Sequence, residues 1–229
     1  MQRLVLFDID ETMISSDGAG RRAIGKALMD LFGVKPESIT VSMSGKTDPQ
    51  ILSEILRAAD MTEEEIQSRL SDMFELYISI LKEELKKCNR YIMHKGIPEI
   101  LEILDTRDDV CLGLLTGNIE TGARLKLDIF DLNRYFPIGA YGSDSPDRMK
   151  LPHVANLRAK DHWGVAFRPE QLVIIGDSIY DVMCAKGYGA RSIAVNTGVT
   201  QREALEEQDP DYLFATLEDS SEVLKAILA

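Results

Sequence analysis

Asp8 and Asp10 stand two residues apart at the end of the apolar run Leu4-Val5-Leu6-Phe7. Such a run reads as a short strand buried on both faces. If the chain stays extended past Phe7, side chains two apart point to the same side, and the two carboxylates share one spot. Ionised carboxylates that close repel each other unless a cation or a proton lies between them. The pair therefore implies a metal site, or a nucleophile beside an acid. The plain alternative is a strand followed by a solvated acidic turn. Two later apolar runs also end in polar groups: Val110–Leu115 in Thr116-Gly117-Asn118, and Leu172–Ile175 in Gly176-Asp177-Ser178 with Asp181 close behind. Lys150, with Arg148 nearby, lies in the segment between them. In a parallel sheet all carboxyl ends lie along one edge, so these groups can converge.

The elements that must position them follow from periodicity. After the first strand, residues 16 to about 93 read as purely helical. Ile24, Ala27, Leu28, Leu31 and Phe32 form a stripe closed by Gly33, Ile51–Leu56 a second helix, and Ile66 to Leu85 a long third. Thr62 and Glu65 make a capping-box pattern ahead of the third. From Lys95-Gly96-Ile97-Pro98 onward, strands near 110–115, 138–141, 172–175, 192–195 and 212–214 alternate with helices. That alternation means a parallel sheet covered on both faces. The fold class is α/β: a Rossmann-like doubly wound parallel core from 1–15 and 94–229, with an all-helical cap domain, 16–93, inserted after the first strand.

Bulk properties bound the function. The chain has 229 residues and a formal net charge of −12, which argues against nucleic acid, whose phosphates need a basic footprint. It does not exclude a small phosphorylated partner, because local cations and backbone N–H groups outweigh the overall field at short range. No apolar run approaches the ~20 residues of a membrane span, and the N-terminus lacks signal-peptide features, so a cytoplasmic protein is expected. Cys88, Cys111 and Cys184 lack C-x-x-C spacing and read as reduced thiols. His94, His153 and His162 lack metal-ligand spacing.

Asp8-x-Asp10-x-Thr12, Thr116, Lys150 and Gly176-Asp177-x-x-x-Asp181 together resemble the four motifs of the haloacid dehalogenase superfamily. The helical insertion is similar to the cap of its phosphoglycolate phosphatase and β-phosphoglucomutase-like branch, and the resemblance spans essentially the whole chain. It implies a Mg²⁺-dependent phosphatase acting on a small phosphorylated metabolite, with Asp8 as nucleophile and Asp10 as acid and then base. Thr116, Gly117, Asn118 and Lys150 would hold the phosphoryl group; Asp8, the Asp10 carbonyl, Asp177 and Asp181 would be the metal set. Asp181 would either ligate directly or hold Lys150.

Two departures stand out: Glu11 occupies a position usually held by Gly in this branch, and Lys150-Leu151-Pro152 replaces the usual Lys-Pro, which leaves Arg148 as a substitute for the lysine. Gly45-Lys46-Thr47 mimics the end of a P-loop, but Thr40 stands where its first glycine belongs; Gly45 and Lys46 are instead candidates for substrate contact from the cap. Three rival functions remain in view. A haloalkanoate dehalogenase needs neither a metal nor an acid at position 10, a phosphosugar mutase keeps both, and a regulatory or binding module would sit on an inactive scaffold. A monomer or homodimer is expected.

Overall fold

The computed structural model describes residues 2–229. In chain order the elements are β1 (Arg3–Phe7), β2 (Ile14–Ser15), α1 (Ala19–Phe32), α2 (Asp48–Ala58), α3 (Glu63–Lys86), β3 (Ile92–Met93), α4 (Ile97–Asp105), β4 (Val110–Leu115), α5 (Glu120–Asp128), β5 (Ile138–Ala140), α6 (Leu151–Trp163), β6 (Leu172–Gly176), α7 (Ile179–Tyr188), β7 (Arg191–Val195), α8 (Arg202–Glu206), β8 (Tyr212–Phe214) and α9 (Ser220–Leu228).

Six strands form one parallel sheet in the order β5-β4-β1-β6-β7-β8. The chain steps outward from β1 through β4 to β5, returns to the other side of β1, and steps outward again. Order therefore reverses around β1, and that reversal opens a crevice at the strand's carboxyl end. Alternation along β1 sorts the core into two layers. Val5 and Phe7 join Leu112, Leu114, Val173 and Ile175 under α4, α5 and α9. Leu4 and Leu6 join Leu172, Ile174 and Cys111 under α6 and α7. β1 is buried over its whole length, as its unbroken apolar sequence requires.

Helices α1, α2 and α3 bury a third cluster, built on Ala23, Ile24, Leu28, Ile51, Leu52, Ile55, Met73, Tyr77 and Leu81. The Thr62–Glu65 capping box is formed at the start of α3. The helical stretch is not free of strand: Ile92–Met93 pairs antiparallel with Ile14–Ser15, so the two connections to the helical block bind each other. A two-residue ribbon carries too little alternation to be read in a sequence. The short α8 likewise went unanticipated by periodicity. Among the described residues no helix is long and apolar enough to cross a membrane.

Candidate active site

Asp8 follows directly on β1, where its backbone N–H donates to the Ile175 carbonyl of β6 and so keeps the ladder going one residue further. Ligand atoms of Asp8, Asp177 and Asp181, all three buried, lie within 4.8 Å of one another. Thr12 Oγ1 donates to Asp177 Oδ1 at 3.1 Å. Burial pushes the Asp8 carboxyl up to about 7, with Arg148 pulling down and Asp181 and Asp10 pushing up. Burial, then Asp181 and Asp8, hold Asp177 well above the usual carboxylate range. Such a set carries negative charge that protein groups only partly offset, and hard oxygen donors suit a divalent cation. The residues present therefore fit a metal ion.

Asp181 has a more structural place than its spacing suggested. It is the third residue of α7, and Ser178 caps that helix by a reciprocal box: Ser178 Oγ donates to Asp181 Oδ2 at 2.7 Å, and the Asp181 N–H returns to Ser178 Oγ. Its other oxygen accepts from Arg148. Asp181 thus holds a cation in place, and that cation is Arg148.

Lys150 does not reach the site. Arg148–Lys150 is a single 3₁₀ turn, in which Arg148 is buried and Lys150 exposed. At about 120° per residue, two positions along such a turn point away from each other, so one cation enters and the other faces solvent. Arg148 spans Asp181 and Asp8, the latter at 3.2 Å, and donates to the Gly45 carbonyl of the helical block at 3.2 Å. Burial opposes its charge, but Asp181 and Asp8 more than offset that and raise its pKa.

Asp10 is held by a lysine that sequence reasoning passed over. Lys126 Nζ donates to both Asp10 oxygens at 2.8 and 2.7 Å and to Asn118 Oδ1 at 2.7 Å. Asn118 Nδ2 donates to Asp10 at 2.7 Å and to Thr116 Oγ1 at 2.9 Å. A signal existed: Lys126 occupies the buried stripe of α5 with Gly122, Ala123 and Leu127, where a lysine needs a partner. Thr116, Gly117 and Asn118 lie together at the end of β4, beside Asp10.

The helical block closes over this floor. Thr47 caps α2 and donates to the Pro146 carbonyl at 2.8 Å, and the Asp48 N–H donates to the Gly117 carbonyl at 2.7 Å. A Cβ on Gly117 would stand 2.1 Å from the Lys46 carbonyl, so the contact requires glycine. Asp48 Oδ2 accepts from the Ile119 N–H, and burial pushes this carboxyl up to about 6. Gly45 and Lys46 line the resulting cavity of about 270 Å³, although Lys46 also pairs with Glu54. Glu11 takes a left-handed backbone, φ 58°, the conformation for which glycine is the ordinary choice. Its side chain accepts from Ser15 Oγ and its carbonyl from Thr197 Oγ1, which hold the turn.

The family model described as haloacid dehalogenase-like hydrolase matches residues 5–195. The chain belongs to that family. As a hydrolase of that family it is an enzyme. A phosphoglycolate phosphatase of Shigella boydii is 25% identical over 95% of this chain and 90% of the relative. The solved structure of CbbY from Rhodobacter sphaeroides in complex with phosphate has TM-score 0.72 at 18% identity, covering 96% of each chain. A putative β-phosphoglucomutase from Thermotoga maritima has TM-score 0.62 at 20% identity, covering 99% of this chain and 100% of the other. At these identities the two structures attest the fold, a doubly wound α/β core.

Proposed function

We propose that this hydrolase is a Mg²⁺-dependent phosphatase that cleaves a small phosphorylated metabolite through a phosphoryl group carried on Asp8. The observation that carries the reading is the meeting of Asp8, Asp177 and Asp181, with Arg148 paired to Asp8 and Asp181, and with Asp8, Asp10 and Asp177 lining one cavity. The phosphoglycolate phosphatase relatives support the same chemistry. Bound at Asp8, Asp177 and the Asp10 carbonyl, Mg²⁺ would supply charge neutralisation for the phosphoryl oxygens and for the nucleophile.

The remaining work falls to the chain. Arg148 engages Asp8 Oδ1 and leaves Oδ2 for attack on phosphorus. Asp10 gives a proton to the departing alkoxide and later takes one from the water that cleaves the acyl phosphate. Lys126 and Asn118 fix its carboxylate in one orientation for both steps. Thr116, the N–H groups after β4 and Arg148 surround the phosphoryl position. Residues 16–93, taken as a cap domain on the core of 1–15 and 94–229, exclude bulk water and choose the leaving group. A net charge of −12 supports a metabolite over nucleic acid as substrate.

Phosphate release from a panel of phosphorylated metabolites, with and without Mg²⁺, tests the reading. Asp8→Asn is expected to lower turnover by on the order of 10³-fold or more. Equal turnover by both proteins would end the nucleophile assignment. Conversion of a phosphosugar to its isomer without phosphate release would replace the phosphatase by a mutase.

A further inference from the structure

The cavity has a second wall that the chemistry above does not use. Tyr77 comes from the middle of α3 and is 1% exposed, with its ring in the helical cluster. Tyr77 lines the cavity, and its hydroxyl, which makes no hydrogen bond among the described residues, keeps some surface open to that space. A buried phenol normally finds one. Burial, then the charges of Asp48 and Asp10, raise its pKa well above the usual value, so the hydroxyl keeps its proton and what it lacks is an acceptor. The space beside it is kept open by Gly20: a Cβ there would stand 3.3 Å from Lys126 Nζ and 3.8 Å from the Tyr77 hydroxyl. Lys126 is the residue clamped on Asp10, so the gap adjoins the place where the leaving oxygen must sit.

We propose that Tyr77 is a specificity-determining residue: its hydroxyl donates to an oxygen carried by the leaving group close to the ester oxygen. Phosphate esters whose leaving group carries such an oxygen are then preferred over simple alkyl phosphates. This inference rests on the phosphatase reading. A free donor recognises its acceptor most sharply where the competing ligand would leave it unpaired.

Three esters with two-carbon leaving groups test it: ethyl phosphate, 2-hydroxyethyl phosphate and carboxymethyl phosphate (phosphoglycolate). For the wild type, kcat/KM should be higher for the two oxygenated esters than for ethyl phosphate. In Tyr77→Phe the ratio of kcat/KM for each oxygenated ester to that for ethyl phosphate should fall by about tenfold, the loss of one hydrogen bond. Gly20→Ala, which closes the gap, should lower the same ratios. Because no protein partner is lost, the melting temperature of Tyr77→Phe should match or exceed that of the wild type. Unchanged ratios in Tyr77→Phe, or a marked fall in its melting temperature, would overturn the inference and leave the phosphatase standing. Release by the wild type from other metabolites of the panel but from none of these three would likewise overturn the inference alone; release from nothing in the panel would remove both.

Discussion

Replacing Arg148 by methionine, and separately Lys150 by alanine, asks which of the two cations the site depends on. Arg148 is 3% exposed and bridges two carboxylates, so its loss leaves Asp8 and Asp181 buried without a counter-charge. Breaking a buried ion pair in this way costs about 3–5 kcal/mol. For a chain of this size each kcal/mol moves the melting temperature by about 2–4 °C, so Arg148→Met should lower it by roughly 6–20 °C. Lys150 is exposed, and its removal should stay within about 0.5 kcal/mol. The cost at Arg148 should also depend on pH. Asp8, already at about 7 with the arginine present, is pushed higher without it and takes up a proton in mild acid, which relieves the repulsion. The penalty is therefore larger at pH 8 than at pH 5. Urea unfolding with chelator present measures it, and phosphate release gives the second readout: loss in Arg148→Met, near wild-type turnover in Lys150→Ala. Loss of turnover in Lys150→Ala with Arg148→Met stable and active would refute the assignment.

Mg²⁺ should raise the melting temperature more at pH 8 than at pH 5, because Asp8 at about 7 and Asp177 above its usual range hold protons in acid that the cation must displace; a shift of equal size at both values, read by scanning calorimetry, would count against the metal site. Asp48 has a folded value of about 6, above its unfolded one, so its contribution is fully present below about pH 4 and lost as pH rises through 6. Asp48→Asn removes that loss while keeping an acceptor for the Ile119 N–H, so its stability relative to wild type should grow from pH 4 to 6 and then level off. The ceiling is about 3 kcal/mol, two pKa units. A pH-independent difference in chemical denaturation would contradict it.

Asp8, Asp10, Thr116 and Asp177 were legible in the sequence because each follows an apolar run that reads as a buried strand, and a parallel sheet brings strand ends to one edge. The same logic gave the alternating core and the helical block after β1. Asp181 was legible as a polar group near that edge, but its capping of α7 and its grip on Arg148 depend on where the chain turns. Choosing Arg148 over Lys150 needed the direction of one 3₁₀ turn, since spacing alone admits either. Lys126 and Tyr77 sit on helices whose sequences show only that those positions are buried. What such a side chain faces is decided by the packing of α5 and α3 against the ends of β1 and β4. Strand order fixes where a carboxylate must be; only the closed tertiary structure fixes which distant cation or hydroxyl meets it.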